Sequence, residues 1–177
     1  MQSQIAVNSL VFIDESGVNI NMTRRYARAE GGSRTTDSVP LNTPVSTTIL
    51  SSVRLRGKPV YTTFSGAVNG ERFLGYLKES LIPTLRKGDI VVMDNLRSHK
   101  VKGVIELIES SGAHVLYLPP YSPDFNPIEQ MWSKIKSFLR KVKARTQERL
   151  SSALPLAFDN VSISDIYGWF QSNGYCC

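Results

Sequence analysis

Cysteine is almost missing from this chain of 177 residues: Cys176 and Cys177 stand side by side at the C-terminus and there are no others. Neighbouring cysteines make poor structural disulfides because the bond demands a specific separation and torsion. Nothing therefore resembles a disulfide framework or a zinc-ligand spacing, and a reducing cytoplasm is the expected compartment. No apolar run is long enough to span a membrane. The N-terminus lacks the basic start and continuous apolar stretch of a signal peptide. Low-complexity tracts and internal repeats are missing too. What remains is a chain of one-domain size, residues 1–177, with 41% hydrophobic residues and room for a sizeable core.

The net charge is +6, and its placement says more than its size. Between Lys134 and Arg149 lie seven basic residues and one acid, Glu148, so this window alone carries the excess of the whole chain. A basic stretch of that kind suits a polyphosphate ligand if an acidic site lies beside it. A solvated helix face is the plainer alternative.

The apolar run from Leu10 to Asp14 predicts a first strand, with Gly17 in the following turn. Residues 24–44 are rich in Arg, Gly, Ser, Thr and Pro and predict mostly loop. Thr47–Leu55 and Val60–Ser65 are β-branched runs around Arg56-Gly-Lys-Pro59, a hairpin pattern. Helical spacing covers Asn69–Leu85, with Pro83 near its end, and Val101–Ile108. Ile90–Met93 is short and wholly apolar, as expected of a strand covered on both faces. His114–Leu118 predicts another strand, and Thr146–Phe158 and Ser164–Phe170 predict two C-terminal helices. The order implies an α/β fold with a mixed sheet.

Three acids end or begin these elements. Asp14 and Asp94 close apolar strands, and Glu129 lies in the first turn of a helix. A carboxylate at the end of a buried strand is costly unless a cation or hydrogen-bond donors meet it. Two such strand ends and a helix-borne glutamate suggest one acidic pocket suited to divalent metal ions and phosphoryl chemistry on nucleic acid. Each acid has a simpler reading as well. Asp94 can start an Asx-turn with Asn95. Asn126-Pro-Ile-Glu129 reads as N-cap, N1 and N3 of a helix, where Glu129 suits a capping box. Asp124 reads as a turn residue. Glu15 follows Asp14 on the strand and is expected on the opposite face, outside the pocket. His99 could orient a group in the site, or merely sit near a helix start.

The helix after Pro127 has an apolar stripe at 128, 131, 132, 135, 139 and 142, with Met131 and Trp132 expected in the core. At about 100° per residue, Glu129 falls on one flank of the stripe with Ser133, Lys136, Arg140 and Lys143. Lys134 and Lys141 fall on the other side.

Taken together, Phe12-Ile-Asp14-Glu-Ser-Gly17, Val91-Val-Met-Asp94-Asn95-Leu-Arg-Ser-His99 and Tyr117-Leu-Pro-Pro-Tyr-Ser-Pro-Asp-Phe-Asn-Pro-Ile-Glu129-Gln-Met-Trp132 resemble the DDE catalytic domain of mariner-superfamily transposases, in particular their bacterial insertion-sequence branch. The 34 residues between Asp94 and Glu129 fit that family. The resemblance implies an RNase H-like fold, a five-stranded mixed sheet flanked by helices with extra C-terminal helices. It also implies that Asp14, Asp94 and Glu129 are catalytic and bind two Mg²⁺ ions, for which Mn²⁺ can substitute. Asn95 and His99 would stand behind the ligands. The reaction implied is DNA cleavage and strand transfer in cut-and-paste transposition.

Partners would be double-stranded transposon ends and target DNA, bound by a homodimer in the bacterial cytoplasm, at the nucleoid. Lys136, Arg140 and Lys143, with Arg24 and Arg25, are the expected DNA contacts. Relatives usually carry an N-terminal helix-turn-helix region. Here the first catalytic strand begins about ten residues from Met1, so end recognition is expected from a separate N-terminal polypeptide, or to be missing in a remnant. A nuclease that does not join strands and a DNA-binding module without turnover are the alternatives.

Overall fold

The computed structural model describes residues 6–24, 26, 28–40, 46–119 and 123–175; Arg25, Cys176 and Cys177 lie outside them. The first apolar run forms β1, Leu10–Val18. It is longer than the apolar run alone predicts. Gly17, expected in a turn, pairs with Thr48 inside the strand, because β2 (Thr47–Arg54) runs antiparallel along the whole far half of β1. The hairpin pattern is borne out: β2 turns back into β3 (Val60–Ser65).

Helix α1 (Gly70–Tyr76) opens at Asn69, whose side chain accepts from Arg72 N at 2.9 Å. The expected long helix does not stay α throughout. Leu77–Leu81 widens into a π turn and Ile82–Thr84 closes as a 3-10 turn. Pro83 supplies no N–H and its ring crowds the preceding turn, which ends regular helix there.

Strand β4 (Ile90–Met93) lies parallel to β1, and β5 (His114–Tyr117) lies parallel to β4. The connection between them holds a 3-10 turn at residues 97–100 and then α2 (Val104–Glu109), which starts later than predicted because Val101 is extended and Gly103 is left-handed, φ 98°. Three helices complete the fold: α3 (Ile128–Val142), α4 (Gln147–Asp159) and α5 (Ile163–Ser172). The sheet is mixed and five-stranded, in the order β3-β2-β1-β4-β5. No helix among the described residues is long and apolar enough to cross a membrane.

Each face of the sheet carries its own core. Phe12, Ile49 and Val92 pack with Met131, Ile135 and Leu139 of α3 and with α4 and α5. Val11, Ile13, Val91 and Met93 pack with Phe73, Leu77 and Ile108 on the other side. Side chains alternate along a strand. Asp14 therefore follows Phe12 to the α3 side, while Glu15 follows Ile13 to the α1 side.

Candidate active site

Parallel pairing brings two of the predicted acids to the same edge. The registered pairs run from Leu10 and Ile90 to Phe12 and Val92. Asp14 and Asp94 are each two residues beyond that last pair, on neighbouring strands and at the end where β4 stops. Sequence spacing cannot reveal this, since 79 residues separate the two.

Asp14 sits in a poor place for a charge. Burial, then the Glu129 carboxylate, pushes its carboxyl up to about 7. Two donors work against that rise: Trp132 Nε1 donates to Asp14 Oδ2 at 2.9 Å, and the Glu15 backbone N–H contributes less. Trp132 had been expected only in the core. It is buried, yet its N–H needs a partner there, and Asp14 supplies it. The sequence carried a faint signal of this contact, because Trp132 stands one helical turn from Glu129.

Asp94 is fixed by different partners. Its Oδ1 accepts from Leu96 N at 3.1 Å, the Asx-turn expected from the sequence. The same oxygen lies 2.7 Å from His99 Nδ1. Burial works against the Asp94 charge, but His99 and the Leu96 N–H outweigh it and hold the carboxyl below its usual value. No hydrogen bond from the described residues falls on Oδ2, which leaves it open to a cation.

His99 is fully buried. Burial disfavours its charge, yet Asp94 and Glu15 together raise its pKa to about 9. Its neighbour Asn95 donates from Nδ2 to Leu118 O and ties the loop after β4 to the end of β5.

Glu129 comes from α3, and here the capping reading is corrected. The helix begins at Ile128 with Pro127 at the N-cap position, and no side chain caps it. Asn126 is buried but its side chain makes no cap, and Glu129 stands at N2 with no capping box. The backbone still bonds, Glu129 N to Asn126 O at 3.2 Å. The Glu129 side chain is thus free of the role that competed with ligation; it is exposed, and its charge acts on Asp14. The α3 stripe is buried at Ile128, Met131, Trp132, Ile135 and Leu139, while Val142 is exposed near the helix end.

On the flank shared with Glu129, Lys136 and Arg140 are part-exposed and make no ion pair among the described residues. Lys143 differs: it ends α3 in a left-handed conformation, φ 53°, and its Nζ pairs with Asp37 at 2.7 Å. Lys134, on the other side, pairs with Asp165. Arg24 is exposed.

The three acids are not all drawn onto one point. Among the described residues, no group of three or more His, Cys, Asp and Glu side chains is gathered as a metal-binding cluster. The Glu129 charge acts on Asp14, and Asp94 stands on the adjacent strand end, turned to His99. A carboxyl whose proton affinity is raised by burial and by a neighbouring carboxylate belongs to a donor set a hard dication would relieve, and an all-oxygen set suits Mg²⁺ or Mn²⁺.

Comparison with known proteins identifies the fold and the family. No curated protein sequence matches at a significant level. Among solved structures, the chain is similar to the Mos1 transposase paired-end complex with left transposon end: TM-score 0.77, 18% identity, 94% of this chain and 52% of that one. It is similar also to the Mos1 mariner paired end complex with Mn, at TM-score 0.74 and 18% identity over 97% of this chain and 54% of that one. A third match is the catalytic domain of Mos1 mariner transposase, at TM-score 0.70 and 17% identity over 94% of this chain and 78% of that one. The chain therefore spans about half the length of the paired-end Mos1 chains. At these identities the likeness establishes an RNase H-like fold. The sequence itself matches the family model described as DDE superfamily endonuclease over residues 9–151, and the chain belongs to that family.

Proposed function

We propose that this domain cleaves DNA and transfers the cut strand in cut-and-paste transposition of an insertion sequence, with Asp14, Asp94 and Glu129 as ligands of two Mg²⁺ ions. Mn²⁺ would serve in their place. The observation that supports the proposal is the placement of Asp14 and Asp94 two residues beyond the same registered strand pair, with Glu129, in the first turn of α3, near enough to Asp14 for its charge to raise that carboxyl's proton affinity.

When bound, the ions would supply Lewis acidity at the phosphodiester and activate the attacking oxygen. The chain's own groups do the holding. Trp132 fixes one oxygen of Asp14, His99 and the Leu96 N–H fix one oxygen of Asp94, and Glu129 stays exposed at the helix start. Lys136 and Arg140 follow along the same flank, positioned for the phosphate backbone of duplex DNA, with Arg24 as a further contact. Similar structures include Mos1 complexes with a transposon end, with Mn and with Mg. By that likeness we assign transposon ends and target DNA as substrates and a homodimer as the working form. We assign the bacterial cytoplasm as the setting.

The test is a gel assay with labelled duplex DNA and Mg²⁺ or Mn²⁺, run beside Asp94→Ala protein. Metal-dependent nicking and joining should both vanish in the variant. Nicking that survives Asp94→Ala would overturn the assignment. Nicking without joining would point to a plain nuclease.

A further inference from the structure

Glu15 and His99 form a linked pair behind Asp94 on the side of the sheet away from α3. The His99 ring is fully buried, with Nδ1 2.7 Å from Asp94 Oδ1 and Nε2 3.0 Å from Glu15 Oε2. The ring lies against Phe73, centroid to centroid 4.3 Å. Its backbone is pinned as well: His99 N donates to Leu96 O at 3.1 Å, and His99 O accepts from Tyr117 Oη at 3.0 Å. Asp94 needs such support more than Asp14 does. β4 stops at Met93, among the described residues no backbone hydrogen bond holds Asp94, and its side chain is 41% exposed.

Resting on the metal-site proposal above, we propose that Glu15 is a positioning residue for the metal site, acting on Asp94 through His99. Alternation along β1 puts Asp14 on one face as a ligand and Glu15 on the other as an anchor. One dipeptide thus reaches the site from both sides of the sheet. Glu15 holds the far nitrogen, which fixes the tilt of a ring that would otherwise bury an unpartnered Nε2. His99 Nδ1 in turn lies 2.7 Å from one oxygen of Asp94 as an ion pair, without hydrogen-bond geometry. The attraction between charges therefore holds that carboxylate, and its other oxygen accepts no hydrogen bond from the described residues. Partners behind a ligand commonly change metal affinity by 10–100-fold.

The experiment is a Mn²⁺ titration of the full chain without DNA, followed by electron paramagnetic resonance. Wild type, Glu15→Ala, Glu15→Gln, His99→Gln, Asp94→Ala and the Glu15→Ala/His99→Gln double variant are compared. Thermal melts on each establish folding. Glu15→Ala is the informative variant, because its side chain is 22% exposed and its loss leaves little cavity. The half-saturating Mn²⁺ concentration should rise roughly tenfold in Glu15→Ala and less in Glu15→Gln, which keeps an acceptor. The double variant should bind no worse than His99→Gln alone, since both act through one ring. A folded Glu15→Ala protein with the wild-type midpoint, while Asp94→Ala loses binding, overturns the role of Glu15 alone. Equal Mn²⁺ binding by wild type and Asp94→Ala overturns the metal-site assignment, and this proposal with it.

Discussion

Replacing Trp132 with Phe removes one hydrogen-bond donor from Asp14 and keeps a ring in the core. The indole Nε1 donates to Asp14 Oδ2 at 2.9 Å. Trp132 is 3% exposed, so water does not readily take over the bond. A hydrogen bond to a charged group contributes about 1.5–3 kcal/mol, and about 1.36 kcal/mol corresponds to one pKa unit. The Asp14 carboxyl is already pushed up to about 7 by burial and Glu129, and the substitution should raise it by a further ~1–2 units. At neutral pH the variant would hold Asp14 mostly protonated and bind divalent ions poorly; at higher pH the carboxylate returns.

Two measurements follow: the carboxyl titration by carbon NMR without metal, and Mg²⁺-dependent nicking from about pH 6 to about pH 9. In both, the midpoint should move to higher pH, with activity recovering at the alkaline end. A titration midpoint unmoved from wild type would refute the role given to Trp132. Linkage gives a related sign. A carboxyl whose folded pKa lies above its unfolded 3.8 takes up protons on folding, so its penalty is nil below about 4 and builds as pH rises to about 7. Mg²⁺ should therefore stabilise the protein more at neutral than at acid pH.

Arg54 and Asp89 form a mostly buried ion pair at 2.8 Å, and Asp89 also accepts from Arg86 N. Asp89→Ala leaves the guanidinium without its counter-charge and should cost about 3–5 kcal/mol, which a thermal melt would report as a fall of roughly 6–20 °C; a fall within a degree or two would show the pair to be dispensable. Lys136→Ala/Arg140→Ala should weaken DNA binding for all sequences alike and reduce the salt slope of log K by about two. An unchanged slope would remove both residues from the phosphate contacts.

Local chemistry determined most of the elements. Apolar β-branched runs formed β2, β3 and β4, and the helical stripe placed the buried face of α3 from Ile128 to Leu139, because these patterns act over a few residues. The prediction failed in β1 because a distant segment intervened, and at the start of α3 for a local reason. β1 extends through Gly17 only because β2 pairs with it, and Asn126 loses its side-chain cap because the helix starts one residue later. Asp14, Asp94 and Glu129 were legible as candidates from their positions at element ends and from the family resemblance. Tertiary structure decided which of their neighbours matter. Trp132 and Glu15 looked like a core residue and a residue outside the pocket, yet one donates to Asp14 and the other meets the His99 that holds Asp94. Those contacts span 118 and 84 residues of sequence. A hydrogen bond depends on separation in space, and only the packing of α3 and the 97–100 turn against opposite faces of one sheet supplies it.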